Sequence, residues 1–299
     1  MKKTNIIIQV SLILLICVLI VLTIALANKF DSDSEKEFTS NSESETGLKH
    51  NIEDPISFCL DSDGDFVIGS KNSIDTISQA GVLKNSIKTE QPVTALFASD
   101  EGLYAAVGAT IYFLDSTNEM NVFTDLGSSS IIKSIRKYGD TVYISDAGNK
   151  LLYTYSTQGK LIRIYSFEAP PALQIVSPWF DFVVMKDASF WITNPGNHQI
   201  DLYSKDGNFL KSIPESEDPK MFEGCCNPLL LEQVADNRLA AWTKGVKQVK
   251  IIDFKYGVIQ MFTVEKYFSA ILDVKDMTYR DETIYLLDSQ KIYTLKVDE

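Results

Sequence analysis

Two adjacent cysteines, Cys225 and Cys226, form the sharpest chemical feature of the sequence, inside the segment Gly224 to Pro228, which reads GCCNP. In an oxidising compartment two such neighbours can close a vicinal disulfide, whose small ring forces an unusual peptide geometry and makes a rigid turn. The pair could instead act as redox-active thiols or bind a soft metal, or it could be an inert structural pair. The residues alone leave these readings open. Cys225 and Cys226 are therefore a candidate disulfide and candidate ligand contacts.

Metal and hydrolytic chemistry have little support in the sequence. Its histidines are His50 and His198, which are too few for a histidine-rich zinc centre. The run Asp61 to Asp65 resembles the start of a calcium loop, but Phe66 and Asn72 stand where glycine and a bidentate glutamate belong, which indicates a solvated turn. We predict no metal, cofactor or catalytic residue. Acids from separate strands could nevertheless converge without being neighbours in sequence.

Trp179 lies beside Pro178 in a long stretch without strand pattern, so it could equally pack or line a binding surface. Trp191 and Trp242 lie in alternating segments, which predicts packing between sheets.

The cysteines and tryptophans described above lie within a chain built from a repeated strand pattern, which must position them. The pattern of Gly139 to Lys160 returns at Asp187 to Asn208: an alternating strand, a turn at Gly-Asn, a second strand and a closing turn. Six such units are marked by turns 38, 37, 48, 50 and 44 residues apart. Four short strands in each unit of about 40 to 50 residues predict a propeller blade, so the fold class is all-β, a six-bladed β-propeller over 48–299. The six turn markers are Gly64, Gly102, Gly139, Asp187, Asn237 and Asp281.

The innermost strand of each blade is predicted ahead of its marker. The sixth unit ends soon after its third strand, so we expect Leu48 to Ile52 to pair with it and close the ring. The predicted inner strands are Ile56 to Leu60, Val93 to Ala98, Ile132 to Lys137, Phe180 to Met185, Leu229 to Ala235 and Asp273 to Tyr279.

The turns Asp146 to Lys150 and Asn194 to His198, each before a strand that ends at tyrosine, resemble the NHL-type repeat. The segments Ser177 to Asp181 and Gly224 to Pro228 also resemble a group of bacterial exported NHL-type propellers that pair an SPYFD-like segment with GCCNP. Trp179 replaces the tyrosine of that pattern, and Thr243 stands where an acid is usual. The resemblance implies an exported propeller of undetermined biochemical role and brings no catalytic residues with it.

Two insertions depart from the bare repeat: the blade-4 insertion, Phe167 to Trp179, and the blade-5 insertion, Pro214 to Pro228. In propellers such loops lie on the same face as the turns between second and third strands. Long loops on a rigid scaffold usually carry the residues that bind ligands. The candidate ligand-binding residues on this face are Trp179, Phe180, Asn194, Asn197, His198, Cys225, Cys226, Asn227 and Lys244.

The first 47 residues predict location. Residues 1–5 form a cytoplasmic stub, and the apolar run 6–27 is long enough to cross a bilayer of about 30 Å as a transmembrane anchor, although Ala25 to Ala27 also fits a signal cleavage site. Lys2 and Lys3 place the propeller outside the cytoplasm, in a single-pass cell-membrane protein.

Residues 28–47 read as a flexible acidic linker. Beyond Phe30 the chain has 25 basic and 40 acidic side chains, which disfavours nucleic acid and anionic lipid as partners and leaves the N-terminal helix as the only membrane contact.

We therefore expect a membrane-tethered extracytoplasmic propeller that binds a protein partner or a small ligand on the face carrying both insertions. The alternative is an enzyme, either a thiol-redox protein using Cys225 and Cys226 or a calcium-dependent propeller of the lactonase or lyase type.

Overall fold

A computed structural model of the chain describes residues 44–47, 52–168, 172–176, 178–214, 221–224, 226–264, 273–289 and 291–297. These residues form 24 strands in six four-stranded antiparallel sheets. The predicted all-β six-bladed propeller is confirmed. The predicted anchor, most of the linker and Cys225 lie outside the described residues.

The blades follow one another along the chain, and in blades 1 to 5 each sheet runs from its inner to its outer strand in sequence order. Blades 1 to 3 contain β2 (Pro55–Leu60), β3 (Phe66–Ser70), β4 (Ser73–Ile77) and β5 (Leu83–Lys88); β6 (Val93–Ser99), β7 (Gly102–Val107), β8 (Thr110–Leu114) and β9 (Met120–Asp125); and β10 (Ile132–Tyr138), β11 (Thr141–Asp146), β12 (Leu151–Ser156) and β13 (Leu161–Ser166).

Blades 4 and 5 follow the same order, and blade 6 takes its outer strand from the start of the described chain. They contain β14 (Phe182–Val184), β15 (Phe190–Asn194), β16 (Gln199–Tyr203) and β17 (Phe209–Ile213); β18 (Leu230–Ala235), β19 (Arg238–Thr243), β20 (Gln248–Asp253) and β21 (Gly257–Thr263); and β22 (Asp276–Arg280), β23 (Thr283–Leu287), β24 (Lys291–Lys296) and β1 (Ser44–Gly47).

The second strand of each blade is the most buried, because its two faces pack against the two neighbouring blades. All five residues of β3 and of β15 are buried, whereas five of the six residues of the outer strand β13 are exposed. Aromatic side chains fill the seams between blades. Phe167 of the blade-4 insertion, for example, packs edge-on against Tyr203 with ring centroids 4.8 Å apart.

Strand β1 closes the ring by pairing antiparallel with β24, from Ser44 opposite Thr294 to Gly47 opposite Lys291. Closure by the segment before the first blade was expected, but the pairing strand lies four residues earlier than the predicted Leu48 to Ile52. The chain must next cross from the outer edge of blade 6 to the inner edge of blade 1. At about 4.8 Å between strands, this crossing needs several residues of connection, so the pairing strand ends before Leu48.

The inner strand of blade 4 is the shortest, since β14 contains only Phe182–Val184. The prediction began this strand at Phe180. Phe180 and Asp181 precede the regular strand, but Asp181 is still joined to β15, because its O accepts a hydrogen bond from Thr193 N at 2.9 Å and from the Thr193 hydroxyl at 3.2 Å.

No helix within the described ranges is both long and apolar enough to span a membrane. The predicted span 6–27 lies outside those ranges.

Candidate functional site

The loops between blades and the turns between second and third strands lie on one face, here called the insertion face. Backbone hydrogen bonds tie each loop to a turn: Gly108 N donates to Pro92 O at 3.0 Å, and Ala147 N donates to Ile131 O at 2.8 Å. In blade 4, Gly196 N donates to Gln174 O at 3.0 Å. Both insertions therefore belong to this face, as the repeat pattern predicts.

Asn194 and Asn197 hold the blade-4 insertion in place. Asn194 is fully buried, accepts from Gln174 N at 2.9 Å and donates to Asp201 Oδ2 at 2.7 Å. Asn197 Nδ2 donates to Ala172 O at 3.1 Å. The amides of both candidate residues are thus used to hold residues 172–174 against the turn.

His198 and Asn227 do the same for the blade-5 insertion. His198 Nδ1 lies 3.0 Å from Phe222 O, and Lys250 Nζ donates to Met221 O at 2.7 Å. Asn227 is fully buried, where its Oδ1 accepts from Lys244 N at 2.9 Å and its Nδ2 donates to Glu223 O at 2.5 Å. These contacts join the second insertion to blades 4 and 5.

A close backbone contact completes this anchoring. A Cβ added to Gly245 would lie 2.9 Å from Gly224 Cα and 2.9 Å from Asn227 Nδ2. Only glycine at these two positions lets the GCCNP segment meet the turn after β19 at this distance.

Cys226 is half-buried, has a φ of +65° and packs against the apolar cluster between blades 5 and 6. Its neighbour Cys225 is outside the described residues, so the candidate disulfide stays a prediction. Phe180 is fully buried, and its ring lies 6.2 Å from that of Phe167 in the core of blade 4.

Trp179 and Lys244 are candidates that keep part of the side chain at the surface. Trp179 is half-buried, packs against the cluster between blades 5 and 6, and has Lys133 Nζ 4.9 Å from its ring centroid. Lys244 Nζ lies 3.5 Å from Asp273 Oδ1, and Lys275 Nζ lies 2.6 Å from Asp273 Oδ2.

Five charged residues converge in the channel and are here called the channel cluster; of these, the sequence singled out only Asp181, as the end of the segment Ser177 to Asp181. They come from four blades: Lys133 and Arg136 from β10, Asp181 before β14, Glu232 from β18 and Asp276 from β22. Arg136 Nη2 donates to Glu232 Oε1 at 2.9 Å and lies 3.5 Å from Asp181 Oδ1. This is the convergence of acids from separate strands that sequence reasoning left open.

Asp181 and Asp276 also lock neighbouring blades together. Asp181 Oδ2 accepts from Leu231 N of blade 5 at 2.7 Å, and Asp276 Oδ2 accepts from Phe58 N of blade 1 at 2.8 Å. The second oxygen of each carboxylate accepts the amide of the next residue, at 2.9 Å in both cases. The two aspartates therefore have a structural role as well as an electrostatic one.

Burial dominates the titration of the cluster. Burial raises the pKa of Glu232 to about 8 against the opposing effect of Arg136, and it raises the pKa of Asp276 to about 7, with the charge of Asp181 adding to the rise. Burial lowers the pKa of Lys133, which the carboxylates of Asp276 and Asp181 counteract. For Arg136 burial acts downward, but Glu232, Asp181 and Asp276 outweigh it and raise its pKa. The channel can thus hold a carboxylic acid proton at neutral pH.

Within the ranges that the structure describes, no three His, Cys, Asp or Glu side chains are grouped closely enough to hold a metal ion. The acidic run that resembles a calcium loop is a turn between β2 and β3: Asp61 Oδ1 accepts from Asp63 N at 3.0 Å and from Asp65 N at 2.9 Å.

The signal for the channel cluster lay in the predicted inner strands, which contain charged residues among apolar ones. The sequence of one strand does not show that its charged side chain lies near a charged side chain of another strand, because that proximity depends on how the six blades close into a ring.

No protein-family model and no curated protein matches the chain. Solved structures do share its fold. A virginiamycin B lyase from Staphylococcus aureus aligns with a TM-score of 0.60 and 15% identity, over 86% of this chain and 99% of that one. The WD40 β-propeller domain of Doa1 aligns with a TM-score of 0.61 and 11% identity, over 87% and 99%. A protein of unknown function from Bacteroides thetaiotaomicron gives 0.65 and 13%, over 85% and 72%. At these identities the likeness shows the propeller fold alone.

Proposed function

We propose that this protein is a membrane-tethered, extracytoplasmic binding propeller that captures a protein partner or a small ligand on its insertion face. The observation that carries the proposal is the contact of Lys133 with Trp179, at 4.9 Å from Nζ to the ring centroid, where the blade-4 insertion meets the channel. An indole that keeps an exposed surface beside an ammonium group offers apolar area and charge to one ligand.

The rigidity of the surrounding loops supports a binding role. Asn194 and Asn227 are fully buried and fix both insertions through side-chain hydrogen bonds. A surface that is ordered before binding loses less conformational entropy when the ligand arrives. The buried asparagines therefore support Trp179 instead of touching the ligand themselves.

Lys133 indicates the charge of the ligand. Within the described chain its ammonium has no carboxylate at salt-bridge distance, although the charges of Asp276 and Asp181 act on it from farther away, and it contacts the Trp179 ring. Its three N–H donors are thus available to an acceptor. A ligand or partner segment with an anionic group beside an apolar one fits this arrangement.

The proposal also includes the N-terminal membrane anchor and the assignment of the blades to the NHL-type repeat. The apolar run 6–27 after Lys2 and Lys3 supports an anchor with the propeller outside the cytoplasm. The NHL-type repeat is supported by the turn of blade 3, where Asp146 Oδ1 accepts from Gly148 N at 2.9 Å and from Asn149 N at 3.2 Å.

The test is a comparison of full-length variants in their native membrane. Trp179→Ala combined with Lys133→Met should leave the melting temperature within a few degrees and abolish the specific cross-links formed by a photoreactive residue at Val176, which is 55% exposed. Tyr256→Ala is the matched control, because Tyr256 is an exposed aromatic residue at the turn before β21, away from the insertions. An unchanged cross-link pattern in the double variant would reject the proposal.

An enzyme is the second candidate. It is favoured by the pKa of Glu232, which burial raises to about 8, since a carboxylic acid protonated at neutral pH can serve as a general acid. Titration of free thiols would test the redox version at Cys225 and Cys226. A shift of the melting temperature with calcium or with a chelator would test the lyase or lactonase version.

A further inference from the structure

A small cavity opens in the channel at the end away from the insertions. Its volume is about 210 Å³, and it lies where the inner strands end. Its apolar walls come from blades 1, 2 and 6, and Arg136 with Glu232 form a polar wall opposite them. Thr278 and Arg280 of β22 also line the cavity, and the guanidinium of Arg280 donates to Asp61 O and Ser62 O. The apolar walls include Leu60, Leu96, Phe97, Ala98 and Tyr279.

The polar wall joins two blades that are not neighbours. Arg136 of blade 3 reaches Glu232 of blade 5, with 2.9 Å between Nη2 and Oε1. The guanidinium is held there by two backbone acceptors, Ile135 O at 3.2 Å from Nη1 and Leu231 O at 3.4 Å from Nη2. The pair is therefore fixed in place before any ligand binds.

Both side chains still present polar atoms to the cavity. The side chain of Arg136 is 19% exposed and that of Glu232 is 16% exposed. Arg136 uses Glu232 Oε1, and in the described part of the chain no protein donor is recorded for Oε2. Above about pH 8, where Glu232 is ionised, the wall thus offers N–H donors next to a carboxylate acceptor.

We infer that this cavity binds a small planar ligand of the cyclic amide class, in which an N–H and a C=O lie side by side on one ring edge. The ligand carbonyl accepts from Arg136, and the ligand N–H donates to Glu232 Oε2. Its ring packs against Phe97 and Tyr279. The cavity is smaller than the roughly 300 Å³ at which ordinary ligand pockets begin, so a single ring fits.

Electrostatics disfavours ligands with a net charge. Where Glu232 is ionised, an anion would meet its carboxylate and the charges of Asp181 and Asp276, which also act on Glu232. A cation would meet Arg136 and Arg280, which both line the cavity. A neutral ligand with both a donor and an acceptor satisfies both members of the pair and leaves no buried polar group unpaired.

The experiment uses 2-pyridone as the probe and N-methyl-2-pyridone as the matched ligand control, with the full-length protein in detergent micelles at pH 9, above the pKa of about 8 to which burial raises Glu232. The two rings have similar shape, but the methylated one has no N–H for Glu232. Titration followed by NMR should show saturable binding of 2-pyridone and at least about tenfold weaker binding of the methylated ring. Equal affinity for the two rings, or no binding of 2-pyridone, would overturn the inference.

Two protein variants locate the site. Ala98→Leu fills the cavity without touching the ion pair and should weaken 2-pyridone binding at least about tenfold. Trp179→Ala, on the insertion face, should leave it unchanged, which separates this site from the proposed function. If Ala98→Leu fails to fold, intermolecular NOEs from 2-pyridone to the Phe97 and Tyr279 rings in the wild-type protein show whether the ligand lies in this cavity. Binding that Ala98→Leu leaves intact, or an absence of those NOEs, would place the ligand elsewhere.

Discussion

Arg136 Nη2 lies 2.9 Å from Glu232 Oε1, although the two residues belong to blades that are not neighbours. Asp181 of blade 4 lies between them: its Oδ1 is 3.5 Å from Arg136 Nη2, and its Oδ2 accepts from Leu231 N at 2.7 Å. The same pair of residues therefore belongs to the charged interior of the channel and to the polar wall of the cavity.

We predict that stability falls as the pH rises from about 4.5 to about 8. Burial raises the pKa of Glu232 to about 8, above its ordinary value of about 4.3, so between these values the folded state holds a proton that the unfolded state has lost. By proton linkage the free energy of unfolding then decreases with pH. Glu232→Gln removes this titration and should flatten the slope, measured by urea denaturation at pH 5, 6.5 and 8.

Asp276 contributes a slope of the same sign in the same range, because burial raises its pKa to about 7. Some dependence should therefore remain in Glu232→Gln. A slope as steep in this variant as in the wild type would contradict the assignment of the buried proton to Glu232.

Asp181→Ala should destabilise the propeller by roughly 2–4 kcal/mol, because it leaves Leu231 N without its acceptor and Arg136 with one carboxylate fewer. Thermal unfolding measures this cost. Asp206→Ala is the control: Asp206 is paired with Arg163 at 3.2 Å, but its side chain is 57% exposed. The control should change stability by less than about 1 kcal/mol. Equal effects of the two changes would argue against the seam between blades 4 and 5 as the cause.

The propeller could be predicted from the sequence because each blade repeats a local pattern. Alternation, turn glycines and spacing are properties of short segments, and they located the third blade at Gly139 to Lys160 within a few residues. The closing strand was displaced by four residues, since its position depends on the width of a whole blade instead of on local pattern.

The candidate site was less predictable. Asn194 and Asn227 were selected because polar loop residues often bind ligands, yet both are fully buried and hold the loops. A single sequence cannot separate these two uses of an asparagine, since both require a polar group in a turn. Arg136 and Glu232 are 96 residues apart, so their pairing follows only from the closed ring.

Asn194→Asp should loosen the blade-4 insertion. Asn194 Nδ2 lies 2.7 Å from Asp201 Oδ2, so the substitution places a second carboxyl group against a buried aspartate whose pKa burial already raises. We expect a loss of roughly 1–3 kcal/mol that grows as the pH rises and both acids ionise. Gln174 N donates to Asn194 Oδ1, so faster hydrogen exchange at Gln174 N measures the loosening of the insertion directly. In Asn197→Asp, where no acid partner is recorded in the described chain, the effect should be smaller at high pH.

Gly245→Ala should disturb the blade-5 insertion, because the new Cβ would lie 2.9 Å from Gly224 Cα and Asn227 Nδ2. Backbone on one side leaves little room to relax, so we expect a cost of about 1–3 kcal/mol. Gly139→Ala is the comparison: its Cβ would meet nothing within 4 Å, and its φ of +55° costs about 1 kcal/mol in strain alone. Faster exchange at Lys244 N, which donates to Asn227, should appear only in Gly245→Ala. Protection of Lys244 N in that variant would contradict the steric argument.

Removal of β1 should open the ring at blade 6. A chain that starts at Asp54 lacks the antiparallel pairing of Ser44 to Gly47 with β24 and exposes the edge of that strand. The lost backbone hydrogen bonds predict a decrease of roughly 2–4 kcal/mol in the free energy of unfolding, and the free edge predicts self-association that increases with concentration. Thermal unfolding and sedimentation measure the two effects. A chain that starts at Ser40 keeps the strand and should match the full domain in both. If the two truncated chains behave alike, closure by β1 contributes nothing to the stability of the ring.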